Sequence, residues 1–218
     1  MTSADKAWLI WTTARPDMAH VGYHGQTADD NMRIGFLWDP NTPGRIPDEV
    51  LPLSVRQYDG HLPPFSFHLC STSRQVMIDR KVRDLLLKMD PDAVWLGDIV
   101  FTDPDGAEIR DAYWLLGVIA RVDALVPEES RVRRNTEKVF RTDGSSFIRD
   151  FGNWVTTGGE SEDTFTLRKS ALEGHHIWRL KDLSSDLARG STFISDELLN
   201  ALLDAGCEPF RRLPVRLI

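Results

Sequence analysis

"MIDRKVRDLLLKMDPDAVWLGDIVF" occupies Met77 to Phe101, and "FISDELLNALLDAGCEPFRRLPVRL" occupies Phe193 to Leu217. The two stretches share few identities but one grammar. Each opens with an apolar pair and then a residue able to cap a helix, Asp79 or Ser195. In the first, Val82, Leu85, Leu86 and Met89 fall on one helical face. Asp90–Pro91 ends that helix, and "AVWLGDIVF" reads as a strand. In the second, Leu198, Ala201, Leu202 and Ala205 form the stripe, and Gly206 is the expected residue just past the helix end. The first turns differ. Asp196 and Glu197 sit where the helix dipole favours anions, whereas Arg80 and Lys81 sit where it disfavours cations. The closing strand alternates, with Leu213, Val215 and Leu217 on one face and Arg212, Pro214 and Arg216 on the other. Pro214 implies a sheet edge.

The likeness extends upstream, where "FHLC" precedes the first stretch and "HIWR" the second. The repeating unit is therefore strand, linker, short strand, helix, strand. One such unit cannot bury its helix stripe, but two can cover adjoining parts of one mixed sheet. The expected fold is α+β, with a mixed, mainly antiparallel sheet and few helices, built partly from two similar strand–helix–strand units.

Elsewhere the chain reads as follows. Residues 7–11 and 32–38 are short strands. Prolines at 40, 43, 47, 52, 63 and 64 forbid a continuous helix or central strand, so 39–64 is a long ordered loop or wrapping arm. This divides 1–66, N-terminal strands and a Pro-rich arm, from 67–218, an α+β domain with the internal duplication at 77–101 and 193–217. Residues 94–102 and 111–125 form a hairpin across the turn "DPDG" at 103–106. Residues 128–141 are strongly charged without an apolar stripe, hence surface. "TDGS" at 142–145 is a turn, and "TTGGESED" at 156–163 is a Gly-rich acidic loop. "TFTLRKSA" and "HHIWRL" are strands.

Composition bounds the function. The 218 residues allow one domain or two tightly joined halves. The 26 basic residues against 33 acidic ones give −7, which argues against duplex nucleic acid as a ligand and suits a basic protein partner. Cys70 and Cys207 form no CxxC, so two reduced buried thiols in a cytosolic protein are expected. "AWLIW" is too short for an export segment, and the apolar run Ala112–Ala120 is half a bilayer span. The protein is expected in the cytoplasm, away from membranes.

No catalytic constellation emerges. His20 and His24 are four apart, but Gly22 and Gly25 make a helix doubtful there, and no third ligand lies near. His175 and His176 are strand neighbours facing opposite ways. His61 and His68 stand alone. GxSxG and HExxH are absent. The acids of "TTGGESED" would repel phosphate. Asp105, Glu108 and Arg110 lack the lysine a nuclease-like site would need. Trp95, Trp114 and Trp178 read as core, and Trp8 and Trp11 lie in a strand. Trp38 and Trp154 border turns, where a ring either anchors an interface or caps a core edge.

The stretch from about Cys70 to Ile218 resembles the eleventh class of immunity proteins of bacterial polymorphic toxin systems, formerly a domain of unknown function. "VMIDRKVRDLLLKMDPDAVWL" is similar to that family's first helix and strand. "YWLLGVIARVDALVPEES", with Glu129 and Ser130, is similar to its central strand. "HHIWRLKD", with His176, Trp178 and Arg179, and "FISDELLNALLDAGCEPFRRLPV" match the end. Val126–Pro127 after "VDAL", and Glu208–Pro209 where a glycine is usual, depart from the pattern. The resemblance implies a non-catalytic binder that neutralises a cognate toxin domain, with no cofactor and no metal. Expected toxin contacts are Asp103 and Asp105 at the hairpin tip, and Trp154 with Glu160, Glu162 and Asp163 of the acidic loop. The alternatives are a hydrolase with a dispersed His and carboxylate site, and a structural or adaptor domain of a secretion system.

Overall fold

The structure, a computed structural model, describes residues 6–11, 21–23, 53–57, 66–69, 76–103, 105–157, 161, 164–183, 192–207 and 210–218. In chain order these form β1 (Ala7–Trp11), β2 (Val21–Tyr23), β3 (Leu53–Gln57), β4 (Phe67–Leu69), β5 (Val76–Asp79), α1 (Arg80–Met89), β6 (Val94–Thr102) and β7 (Glu108–Val118). There follow β8 (Arg121–Val122), β9 (Val132–Phe140), β10 (Ser146–Thr156), β11 (Thr166–Leu167), β12 (Ile177–Leu180), β13 (Thr192–Ser195), α2 (Asp196–Asp204) and β14 (Arg211–Leu217). The fold is α+β, with few helices and mixed sheets.

Two six-stranded sheets carry the helices, in orders β2-β3-β6-β7-β5-β4 and β11-β14-β1-β13-β12-β8. Where the sequence reading has one mixed sheet there are two, and they share a matched topology. In the first sheet β4, β5, β7 and β6 run antiparallel in succession, and β6 is parallel to β3. In the second, β12, β13, β1 and β14 do the same, and β14 is parallel to β11. The strand filling the gap beneath each helix comes from opposite directions along the chain. β7 follows its helix, whereas β1 comes from the N-terminus.

The match holds at single hydrogen bonds. Asp79 caps α1, its Oδ1 accepting the Val82 N–H at 3.0 Å, while Oδ2 accepts the Ser66 hydroxyl at 2.9 Å. The Asp79 N–H also donates to the Ser66 carbonyl. Ser195 caps α2, its Oγ accepting the Leu198 N–H at 3.1 Å and lying 3.0 Å from His176 Nδ1. The Ser195 N–H donates to the His176 carbonyl. Ser66 and His176 each immediately precede the first strand of their unit, so one cap design is written twice with different side chains.

The helix ends differ. α2 closes with Gly206 at φ +68, the Gly206 N–H reaching Leu203 O and the Cys207 N–H reaching Leu202 O. That paired reach satisfies two terminal carbonyls and needs the left-handed backbone glycine tolerates. α1 closes at Asp90, whose buried carboxylate accepts the N–H groups of His176 (2.8 Å) and Ile177 (3.3 Å) from the other unit.

The helices pack against one core shared by both units. Val82 and Leu86 of α1 and Leu198, Leu199 and Leu202 of α2 meet Ile78, Trp114, Ile10, Ile177 and Ile194 from the sheets. Each such leucine contributes about 1.5–3 kcal/mol by leaving water. Leu199 extends the stripe read from sequence. Phe67 and Phe210 join the units edge to face at 5.2 Å. A second core lies beneath the other face of the second sheet, where Trp178 stacks on Phe193 and Phe165 meets Phe193 edge-on.

Other expectations shift. The hairpin's second arm ends at Val118, and Arg121–Val122 pairs with β12 in the other sheet. "TFTLRKSA" forms only the two-residue β11 and then a 3-10 turn, Lys169–Leu172. Within the Pro-rich stretch Leu53–Gln57 is a strand paired on both sides. Pro214 lies in a strand with neighbours on both sides, although β11 pairs only with Arg216 and Leu217, so among the described residues no strand partner faces Pro214 on that flank. The strand expected at 32–38, Trp38, His20, His24, His61 and Cys70 lie outside the described residues.

Candidate partner-binding surface

Between β8 and β11 the chain leaves both sheets and forms a two-stranded antiparallel ribbon, β9 and β10. Its tip is the "TDGS" turn. Asp143 Oδ1 accepts the N–H (2.9 Å) and hydroxyl (2.6 Å) of Ser145, Gly144 takes φ +83, and Arg141 N–H reaches Ser145 O. Those bonds from Ser145 hold the Asp143 carboxyl below the usual range. Pairing runs from Ser146↔Phe140 to Asp150↔Thr136, breaks at a bulge, and resumes at Trp154↔Arg134. Gly152 makes the bulge at φ +76, its N–H donating to Asp150 Oδ1.

The root of the ribbon is anchored. Val155 is buried, and Val132 and Trp154 pack on the second core. The Trp154 N–H donates to Asp182 O at 2.7 Å. Beyond the bulge every residue from Phe140 to Gly152 is exposed. Phe140 is 70% exposed, Ile148 64%, Phe151 47% and Phe147 42%. An isolated two-stranded ribbon is marginal in water, and apolar side chains on an exposed ribbon mark a contact surface. Both faces carry them. Phe140 and Ile148 share one face by register, and Phe147 lies on the other with Val139.

A cation covers each aromatic ring. Lys138 lies 5.2 Å from the Phe140 centroid, Arg141 5.1 Å from Phe147, Arg149 5.7 Å from Phe151, and Arg134 4.9 Å from Trp154. Phenylalanine and arginine are enriched where proteins meet.

The residues expected to touch a partner, where they are described, lie on separate elements. Asp103 and Asp105 sit at the β6–β7 tip, where Asp103 Oδ1 accepts the Ala107 N–H at 2.8 Å and so shapes the turn. Trp154 is at the ribbon's root, half-buried, capping the edge of a core. Glu160, Glu162 and Asp163 lie outside the described residues. The sequence does not mark the distal ribbon, because 128–141 reads as solvated charge. The available signal was "SFIRDF" right after a turn, three large apolar residues with no buried partner assigned.

His176 is tied into the structure. His176 touches Ser195 and lies 3.9 Å from Glu197, a grouping that superficially resembles a serine–histidine–acid set. Ser195 is 4% exposed and its Oγ is held as the cap of α2, so it is not presented to a substrate as a nucleophile must be. Asp90 faces backbone N–H groups, not the imidazole. Among the described residues no group of three His, Cys, Asp or Glu side chains is placed to hold a metal ion. Burial pushes the Cys207 thiol up, against the opposing pull of a Ser66 hydrogen bond. Burial beside Arg121 lowers Arg179 to about 10. Among the described residues no helix is long and apolar enough to cross a membrane.

A family model described as Immunity protein family (Imm11) matches residues 49–215. No curated protein matches the chain.

Proposed function

The chain belongs to the Immunity protein family (Imm11), and from that premise we propose that it protects its cell by binding and neutralising a cognate bacterial toxin domain, without chemistry of its own. The family match over 49–215 carries this reading. The exposed ribbon supports it, because a surface of that kind needs a macromolecular partner. In this reading the protein works in the cytoplasm, within a polymorphic toxin system used in bacterial competition. The net charge of −7 favours encounter with a toxin that is basic overall. Tight inhibition needs an interface of about 1,600 Å². The shared strand order of the two units supports reading 77–101 and 193–217 as an internal duplication that builds a rigid platform.

The test is co-expression of the toxin domain encoded beside this chain, with and without it. Survival together with co-purification of both chains is expected. Survival without a complex would point to enzymatic detoxification, and death in both arms would remove the reading.

A further inference from the structure

We propose that the distal ribbon, Val139 to Gly152, is the element that enters the partner, and that it seats in an apolar recess lined with carboxylates. The proposal rests on the toxin-binding reading and says which surface acts and what it meets.

Exposure alone would indicate only that something covers the ribbon. Charge narrows the choice. From Arg131 to Thr156 there are six cations (Arg131, Arg133, Arg134, Lys138, Arg141, Arg149) against three acids (Glu137, Asp143, Asp150), so the whole ribbon carries +3 in a chain of −7, while its distal part, Val139 to Gly152, holds Arg141 and Arg149 against Asp143 and Asp150. Lys138, next to the distal ribbon, and Arg141 and Arg149 within it stand over the rings that would be buried. Burying Phe140, Phe147 and Phe151 therefore strips water from Lys138, Arg141 and Arg149 as well. A cation losing water needs an opposite charge in its place. The acids within the ribbon are partly committed, Asp150 to Arg134 at 3.5 Å and Asp143 to Ser145. The partner must supply carboxylates.

Shape narrows it further. Apolar side chains on both faces call for walls on both sides, hence a recess and not a flat surface. A membrane fits less well, because the leading turn carries Asp143, and the rest of the chain, at −10, is repelled by anionic lipid. Nucleic acid is disfavoured by the same −10. The chain's net charge and the ribbon's local charge act at different distances. The first steers encounter over about a Debye length of 8 Å and beyond, and the second acts at contact.

The experiment uses the full chain and the purified toxin domain encoded beside it. Two double variants are compared with the unaltered protein, Phe147→Ser with Phe151→Ser, and Arg141→Glu with Arg149→Glu. All four side chains are exposed, so melting temperatures should be unchanged. The apolar variant is expected to lose about 100-fold in affinity or more, the effect of two anchor residues. The charge-reversed variant is expected to lose at least about 10-fold and to show less salt dependence. Cell protection should fall in parallel. Unchanged affinity in both variants, with the unaltered chain still protective, overturns the ribbon and leaves the toxin-binding reading standing. Failure of the unaltered chain to bind or protect overturns that reading instead. Light scattering that shows a dimer abolished by either variant would assign the ribbon to a second copy. Vesicles of phosphatidylserine bound as tightly as the toxin domain would assign it to membranes. Either result overturns the proposal.

Discussion

The two strand–helix–strand units solve one packing problem with different side chains. Both carry a helix capped from the end of a short strand, both place that helix over a strand borrowed from elsewhere, and both end in a strand with a parallel neighbour. Tryptophans even occupy matching places, Trp114 opposite Ile78 and Trp8 opposite Ile194. Yet the Trp114 indole N–H finds Asp98 in the next strand, whereas Trp8 faces Pro214 there and reaches Asp196 at the helix start. The lesson is that the fold fixes where a partner is required, and the sequence remains free to choose which group supplies it. What breaks the symmetry, the Asp90 link and the ribbon, is where each unit does something the other does not.

The sharpest way to break the comparison is to empty the core from each side. Leu86 and Leu202 hold the same position seven residues after their cap, both about 1% exposed in one cluster. Leu86→Ala and Leu202→Ala should each cost about 2–5 kcal/mol in denaturant unfolding. Costs that differ by more than that spread would show the units to be unequal partners.

Next come the helix ends. Asp90 and Gly206 lie eleven residues after their caps, at corresponding positions. Asp90→Ala strands the His176 and Ile177 N–H groups of the other unit and should cost about 3 kcal/mol. Gly206→Ala meets no atoms but must hold a left-handed backbone, for about 1–2 kcal/mol. Equal losses would mean that Asp90 is only a helix end and not a tie between units.

Smaller again are the first turns. Lys81→Glu should stabilise α1, and Glu197→Lys should destabilise α2, each by about 0.3–1 kcal/mol at low salt. The two shifts should shrink together as salt rises, followed by thermal melting.

Much of this was legible. Period 3.6 located both helices, Asp79 and Ser195 announced their caps, and Gly206 announced its turn, because those signals are local. The borrowed strands were not legible. Nothing in "AWLIW" says it lies between β13 and β14, since strand pairing depends on partners distant in sequence. The ribbon was hidden for another reason. Its strands are rich in Arg, Lys, Glu and Asn, which strand preferences score poorly, and its aromatic residues face water where burial patterns cannot place them. The surface expected at Asp103 and Asp105 rests on charge alone, and the structure adds that Asp103 shapes its own turn.

The ribbon sets the last contrast, between platform and contact. Phe140→Ser should move stability by no more than about 0.5 kcal/mol, because its ring is already in water. The most direct measurement is amide hydrogen exchange of the intact chain with and without its toxin domain. The account predicts new protection concentrated between Val139 and Gly152, with the two six-stranded sheets little changed. Protection appearing at the Asp103 tip or across a sheet, with the ribbon exchanging as before, would contradict it.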